Sequence, residues 1–252
     1  MTDHPADLDT LIETAETAAR AAGELLRHRG EDTKGVLFET GRDIKLAADR
    51  AAEAVILETL QTASDIPILA EESGQHDGAA SDLLWVVDPL DGSANYNREI
   101  PLCAVSIGLM RADEPLLGVI YDFNTDELYS GGMGLPATLN GKEIRVSDVS
   151  EKGRAILATG LPVSADYSPE ALGTMAAGFA DWKKVRMLGT STIAAAYVAA
   201  GRVDRYAETG ARLWDVAAGL AIVRAAGGRA IIGDGPLDGA RSILIDNGRL
   251  PH

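Results

Sequence analysis

The segment 83–93 places two carboxylates after a run of apolar residues. Five consecutive apolar side chains predict a buried strand, and Asp88 and Asp91 follow it. Because Pro89 has no backbone N–H to donate, we expect the strand to stop where the acids begin. The glycine and serine that close the segment suit a turn or helix start with free N–H groups. Such a segment could bind a hard cation and a phosphate together, although an Asp-rich turn that only caps the strand is the simpler interpretation of these residues alone.

Three other acids have comparable settings in the sequence. Glu71 follows a short apolar run, Asp215 stands at the head of an apolar helical segment, and Asp49 lies on a predicted helix. Each also has a simple structural interpretation. Glu71 could be a solvated strand end, Asp215 a helix N-cap and Asp49 a surface acid.

The charge balance excludes some classes of partner. Acidic residues outnumber basic ones by 38 to 23, which gives a formal net charge of −15 over 252 residues. Such a field repels nucleic acid and anionic lipid and attracts cations, so we expect neither a nucleic-acid partner nor a membrane. The single cysteine, Cys103, excludes an internal disulfide, and the start of the chain (1–5) does not resemble a leader peptide. We therefore expect a cytoplasmic protein.

The hydrophobic pattern predicts a layered α/β protein with mixed sheets. Apolar residues spaced three and four apart predict helices over 8–26 and about 46–60. Strands are expected over 66–70, 104–110, 117–121 and 127–131, with a tight turn at 140–141. Beyond residue 150, strands at 156–158, 185–188, 203–207, 231–232 and 243–245 alternate with helices at 192–200 and 216–226. We expect two α/β halves, 1–134 with most of the acids and 135–252 completing the site.

Three separated motifs, taken in order, are far more specific than any single acid. They are Glu-Glu-Ser-Gly at 71–74, Trp-Val-Val-Asp-Pro-Leu-Asp-Gly-Ser-Ala-Asn-Tyr at 85–96 and Trp-Asp-Val-Ala at 214–217. Together they resemble the inositol monophosphatase family of Mg²⁺-dependent, lithium-sensitive phosphatases. The similarity extends to 134–141, 189–191 and 227–228, so it covers nearly the whole chain. It implies a sugar-phosphatase-like fold of alternating α-β-α-β-α layers and, as is common in the family, a homodimer.

The resemblance implies a set of metal ligands, namely Glu71, Asp88, the carbonyl of Leu90, Asp91 and Asp215. Carboxylates, a carbonyl and water form a set of oxygen ligands, which suits Mg²⁺. Roughly two or three Mg²⁺ ions are expected at such a site. Clustered carboxylates repel, so some would take up protons if no cation neutralised them. None of the four histidines lies in a motif, which argues against zinc and against a histidine-activated nucleophile.

The resemblance also implies direct hydrolysis by a metal-activated water, without a phosphoenzyme. Glu71 would be a catalytic residue as well as a ligand. Asp49 would accept a hydrogen bond from Ser93, whose hydroxyl helps to orient and deprotonate the attacking water.

Substrate contacts are implied for a further set of residues. Backbone N–H groups of Gly92 and Ser93 would bind the phosphate. The carboxylate of Glu208 would bind substrate hydroxyls, unless it is simply an exposed acid. The substrate-binding residues implied are Asp91, Gly92, Ser93, Gly189, Thr190 and Glu208.

The sequence departs from the family's pattern in three places. The family commonly reads Asp-x-Val-Thr-x-x-Asp, whereas residues 43–49 read Asp-Ile-Lys-Leu-Ala-Ala-Asp and lack the threonine. Phe38 stands where a lysine is often found, and Ser93 stands where threonine is usual. A hydroxyl survives at Ser93, so we expect activity. The other two changes concern the loop over the site and the third metal position.

The sequence therefore predicts a Mg²⁺-dependent phosphomonoesterase that acts on a small polyol or sugar monophosphate resembling inositol 1-phosphate. Within the family, a 3′(2′),5′-bisphosphate nucleotidase would need basic groups such as Arg98, Arg186 or Arg212, and histidinol phosphate and fructose 1,6-bisphosphate are further candidate substrates. An aspartyl-phosphate phosphatase would space its acids Asp-x-Asp, whereas Asp88 and Asp91 are three apart. A non-catalytic scaffold is disfavoured because every expected ligand is present.

Overall fold

The computed structural model describes residues 7–30, 33, 35–40, 43–163 and 165–251. The segment 1–5, which includes His4, and the residue His252 lie outside these residues. Within these ranges, no helix has both the length and the apolar content that a membrane crossing requires.

The helices agree closely with the hydrophobic pattern. The first begins after Asp7, whose side chain accepts a hydrogen bond from the Asp9 N–H (3.2 Å) and so satisfies one free donor of the first turn. The helices predicted over 8–26, 46–60, 192–200 and 216–226 are confirmed. The α-helices in the described part of the chain are α1 (Leu8–His28), α2 (Ala47–Ala63), α3 (Ser93–Asn97), α4 (Pro169–Gly178), α5 (Ser191–Ala199) and α6 (Leu213–Ala225).

A mixed sheet of eight strands forms the larger half of the molecule. The first strands of the chain are β1 (Val36–Thr40), β2 (Asp43–Leu46), β3 (Ile68–Ala70), β4 (Gly74–His76), β5 (Leu83–Asp91), β6 (Ala104–Arg111), β7 (Glu114–Asp122), β8 (Glu127–Gly132), β9 (Leu135–Leu139) and β10 (Lys142–Glu143). The order in the eight-stranded sheet is β10-β9-β8-β7-β6-β5-β3-β4, and β1 pairs with β2 in a separate antiparallel sheet. The turn predicted at 140–141 is confirmed, since Asn140 and Gly141 have φ values of 49° and 74° and join β9 to β10. The division near residue 134 stays a prediction, and this sheet continues past it to Glu143.

The expectation that the strand before the acids stops at Pro89 is wrong. β5 continues to Asp91, because Pro89 and Leu90 together lie in an irregularity of the pairing with β6 between Asp88 and Asp91. The irregularity removes Pro89 from the ladder, so its missing N–H costs no hydrogen bond. Both aspartates are therefore held by strand pairing rather than by a loose turn.

A second mixed sheet contains β11 (Ile156–Thr159), β12 (Lys184–Met187), β13 (Arg205–Ala211), β14 (Arg229–Ile232) and β15 (Arg241–Asp246). Its order is β12-β11-β13-β15-β14, and β11 is parallel to both of its neighbours. The connection from β11 to β12 through α4 and the connection from β12 to β13 through α5 run in opposite directions across the sheet. Because parallel crossovers are right-handed, the two helices lie on opposite faces of it.

The helix α5 packs against α6, and α6 contacts strands of both sheets. With α1 and α2 on the outer face of the first sheet, the layers alternate α-β-α-β-α.

A row of glycines lets α6 approach the first sheet closely. Gly118 on β7 pairs with Gly108 on β6 and with Gly131 on β8. A Cβ atom at Gly118 would lie 2.2 Å from the carbonyl oxygen of Ala218 on α6. The helix therefore rests on backbone, which fixes the depth of its first turn, where Asp215 lies.

Candidate active site

The sequence-predicted site residues converge on one cleft of about 710 Å³. Asp49 is the one member of the predicted set that does not line the cleft directly. The lining includes Glu71, Asp88, Leu90, Asp91, Gly92, Ser93, Gly189, Thr190, Glu208 and Asp215. Residues far apart in the chain therefore face one space, which strands of both sheets and the starts of helices line.

Asp91 connects the end of β5 in the first sheet to the start of α5. Its Oδ2 accepts hydrogen bonds from the hydroxyl of Thr190 and from the N–H of Thr192, both at 2.6 Å. These donors belong to the start of α5, where free N–H groups favour a carboxylate. The Thr190 hydroxyl is thus used to fix Asp91, a role that no sequence pattern indicated.

Gly92 makes the turn from β5 into α3 possible. Its φ of +95° is rarely adopted by residues with a side chain, and a Cβ there would lie 2.8 Å from the Leu102 carbonyl oxygen. Glycine is therefore required at position 92 for Asp91 and Ser93 to take up their places in the cleft.

Asp215 is the third residue of α6 rather than its N-cap. Its Oδ2 accepts a hydrogen bond from the N–H of Arg212 (2.9 Å), the residue that caps the helix. The simple N-cap interpretation is therefore wrong in position, although the carboxylate does satisfy a donor at the helix start. The same side chain lines the cleft.

Asp49 lies directly behind the cleft. It is 2 % exposed, so the interpretation of a surface acid is wrong. One oxygen accepts from the Leu46 N–H (2.6 Å) and the other from the Ser93 hydroxyl (2.6 Å). Ser93 Oγ also lies 3.0 Å from the Leu90 carbonyl oxygen. Since a hydroxyl has one proton, the shorter contact to Asp49 is the stronger hydrogen bond, and it holds Ser93 in a single orientation.

The acids raise one another's pKa values. Burial, followed by the charges of neighbouring carboxylates, raises the pKa of Glu71, of Asp88 and of Asp215 above their ordinary values. Of the neighbouring charges, that of Glu71 contributes most to the raised pKa of Asp88. Burial also raises the pKa of Asp49 to about 6. A cation in the cleft would reverse this penalty by stabilising the ionised carboxylates.

The donor set fits Mg²⁺ by its chemistry. It consists of oxygen atoms, and neither His28 nor His76, the histidines within the described ranges, lines the cleft. Over the same residues, no three acidic, histidine or cysteine side chains form a ready-made metal cage. Mg²⁺ does not require one, because it uses one or two carboxylates and completes its octahedron with water and phosphate oxygens. The cleft is thus suited to a cation that is shared with a phosphorylated ligand.

Glu208 faces the cleft from β13. It is half-buried, so the interpretation of an exposed acid after a strand is wrong. Burial, followed by the charge of Asp91, raises its pKa to about 7. Its carboxylate lies against Gly160, where a Cβ atom would meet Oε2 at 2.1 Å. Glu208 therefore has a fixed position on the side of the cleft contributed by the second sheet.

One cationic residue of the cleft was not predicted. Lys45 lines it and makes an ion pair with Glu72 (Nζ to Oε1, 3.1 Å). A lysine on a short strand normally points to solvent, so its type and position gave no signal. Arg212 also lines the cleft, whereas Arg98 and Arg186 are not among its lining residues.

Comparison with known proteins agrees with the motifs. The model of the inositol monophosphatase family matches residues 7–249. An inositol-1-monophosphatase of Synechocystis sp. is 38% identical over 259 residues, covering 98% of this chain and 88% of the relative. A protein of Escherichia coli named Nus factor SuhB is 37% identical over 222 residues, covering 86% of this chain and 83% of the relative. The solved structure of inositol monophosphatase from Anabaena (Nostoc) sp. superposes with a TM-score of 0.82 at 37% identity, covering 97% of this chain and 93% of that one.

Proposed function

The chain belongs to the inositol monophosphatase family and is a phosphatase of that family, and we propose that it is a Mg²⁺-dependent phosphomonoesterase of small polyol or sugar monophosphates. The observation that supports this most strongly is the meeting of Glu71, Asp88, Asp91 and Asp215 in one cleft beside the Ser93–Asp49 hydrogen bond. In this proposal Glu71, Asp88, Asp91, Asp215 and the carbonyl of Leu90 hold the metal. When bound, Mg²⁺ would lower the pKa of a water molecule and neutralise charge on the phosphoryl and leaving oxygens.

The side chains of the protein contribute to the attack of water on phosphorus by orienting the water molecule. Asp49 accepts the hydrogen bond from the Ser93 hydroxyl, with 2.6 Å between its oxygen and Ser93 Oγ. The lone pairs of Ser93 Oγ then remain free to accept a hydrogen bond from a water beside the phosphorus. As that water loses its proton to Ser93 Oγ, the Ser93 hydroxyl proton would pass to Asp49. This arrangement needs no covalent intermediate, in agreement with the absence of an Asp-x-Asp spacing between Asp88 and Asp91.

The proposed substrate contacts use the two walls of the cleft. Backbone N–H groups of Gly92 and Ser93 would hold the phosphate beside Asp91. Those of Gly189 and Thr190, just before α5, would contact the far side of the substrate. Glu208 would accept hydrogen bonds from hydroxyls of the leaving alcohol, since it lines the cleft with a fixed carboxylate.

The geometry ranks the alternative substrates. A bisphosphate nucleotidase needs cations for its second phosphate, and of the three arginines considered only Arg212 lines the cleft, where its guanidinium donates to the Asp238 carbonyl. Glu208 on the same side would repel a second phosphate. A polyol or sugar monophosphate, which offers hydroxyls instead, fits better, and the same reasoning places fructose 1,6-bisphosphate, with its second phosphate, lower.

Two further properties belong to the proposal. We expect a homodimer in the cytoplasm, and we expect no nucleic-acid partner because the net charge is −15. Sedimentation of the purified chain tests the first expectation. A titration of fluorescent RNA at low salt tests the last, and saturable binding would contradict it.

The test of the proposal is a phosphate-release screen of the purified chain. The substrates are inositol 1-phosphate, a sugar monophosphate, histidinol phosphate, fructose 1,6-bisphosphate and a 3′,5′-bisphosphate nucleotide, each with Mg²⁺ and with EDTA. We expect release that depends on Mg²⁺ and is fastest for the polyol or sugar monophosphate. Asp91→Asn should abolish release and weaken Mg²⁺ binding without unfolding the protein. Full activity of that variant, or release unaffected by EDTA, would contradict the assignment.

A further inference from the structure

Lys45 brings a fixed positive charge to the acidic side of the cleft. It lies on β2, and its Nζ is 3.1 Å from Oε1 of Glu72. The Glu72 side chain is only 4% exposed, whereas that of Lys45 is 31% exposed. Since a buried carboxylate left without its cation is costly, Lys45 cannot swing away freely into solvent.

The partner of Lys45 stands next to the proposed metal ligands. Glu72 follows Glu71 directly in the chain, and its charge contributes to the raised pKa values of both Glu71 and Asp49. The second oxygen of Glu72, Oε2, is buried and has no hydrogen-bond partner among the residues that the structure describes. The negative charge of Glu72 therefore stabilises a cation beside it. Lys45 is the cation that the chain itself places there.

The charge of Lys45 stands where the pattern that residues 43–49 resemble has an apolar residue. The third position of that pattern, Asp-x-Val-Thr-x-x-Asp, is commonly valine in the family, and here it is Lys45. A valine at this place would leave Glu71 and Glu72 to be neutralised by a bound ion. The Lys45 ammonium group, 3.1 Å from Glu72 Oε1 and in the same cleft as Glu71, neutralises part of that charge and repels a divalent ion that approaches these carboxylates.

We propose that Lys45 is a built-in cation of the cleft, which takes over part of the charge balance beside Glu71 and Glu72 and thereby weakens Mg²⁺ binding on that side. The inference rests on the proposed function, because it takes Glu71 as a ligand of the metal. Lys45 thereby sets the concentration of Mg²⁺ at which the metal site of the enzyme fills.

The test is a calorimetric titration of metal-free protein with Mg²⁺ alone, in the absence of substrate. We expect Lys45→Met to bind Mg²⁺ about tenfold more tightly than the unmodified chain, because a repelling charge has been removed. Lys45→Arg keeps the charge and should bind Mg²⁺ as the unmodified chain does. Lys142→Met, at an exposed position on β10 that does not line the cleft, controls for the loss of one charge elsewhere. Circular dichroism and thermal melting verify that each variant is folded.

The outcomes separate this inference from the function beneath it. Tighter binding by Lys45→Met alone supports the inference. Unchanged or weaker Mg²⁺ binding by Lys45→Met overturns it, while Mg²⁺ binding and hydrolysis by the unmodified chain leave the proposed function standing. If the unmodified chain neither binds Mg²⁺ nor releases phosphate from a monoester, the proposed function fails first.

Discussion

Replacing Gly118 by alanine tests how the fold positions the site. Gly118 lies in the middle of β7, and a Cβ there would stand 2.2 Å from the backbone oxygen of Ala218 and 2.6 Å from its Cα. Both atoms belong to backbone, which cannot rotate away as a flexible side chain can. The α6 helix must therefore move off the sheet by about 1 Å, because the interior has no free volume to absorb the new methyl group.

Two magnitudes follow from this displacement. Overpacking of a core of this kind costs about 1–3 kcal/mol of the free energy of unfolding. Because Asp215 lies in the first turn of α6, a shift of about 1 Å moves a proposed ligand out of place, and a misplacement of that size costs about 100-fold in rate. Activity should therefore fall by more than the loss of folded protein explains.

The assays are urea denaturation and phosphate release with saturating Mg²⁺, at a temperature where the variant is fully folded. Gly173→Ala is the matched control. Gly173 lies in the helix α4, a Cβ atom added there would have no described atom within 4 Å, and the change should stabilise the protein by up to about 1 kcal/mol. If Gly118→Ala has the stability and rate of the unmodified chain, the close contact between α6 and the sheet does not position the site.

Three further predictions concern single side chains. Ser93→Ala should reduce phosphate release about 100-fold or more, because it removes the hydroxyl that orients water. Ser93→Thr keeps a hydroxyl and should retain most of the activity. Equal rates for the two variants would refute the role of the hydroxyl. Glu208→Ala should slow the release of phosphate from a polyol phosphate more than from a minimal aryl phosphate, and equal losses would show that it does not contact the leaving alcohol. Burial raises the pKa of Asp246, but hydrogen bonds from Arg229, the Gly248 N–H and Arg205 outweigh burial and hold this pKa below its usual value. The ionised Asp246 therefore stabilises the fold fully above the ordinary carboxyl pKa. This stabilisation is lost as the pH falls through the lower pKa of the folded state. Asp246→Asn should therefore cost about 3–5 kcal/mol at pH 7 and flatten the dependence of urea stability on acid pH; an unchanged acid limb would contradict this.

Much of the architecture was predictable because local periodicity reports burial. The 3.6-residue spacing in 8–26 identified α1, and the run of five apolar residues identified β5. The end of β5 was mispredicted because the rule that proline ends a strand ignores irregular pairing, which lets extra residues leave the ladder without ending it. The row of glycines under α6 was not recognised, because the close approach of two backbones depends on a partner that is distant in sequence.

The same distinction applies to the candidate site. Glu71, Asp88, Asp91 and Asp215 were found through motifs, and the structure brings them to one cleft. The hydrogen bond of Thr190 to Asp91 and the ion pair of Lys45 depend on contacts between distant segments. No local pattern encodes such contacts, so only the fold could reveal them.

Anomalous diffraction from crystals of the protein grown with Mn²⁺ and inorganic phosphate would show whether these four acids hold metal. At least one anomalous peak is expected, bounded by the carboxylates of Glu71, Asp88, Asp91 and Asp215, with phosphate oxygens beside it. A map without metal density in this cleft, at Mn²⁺ concentrations that support hydrolysis, would show that the acids do not form a metal site.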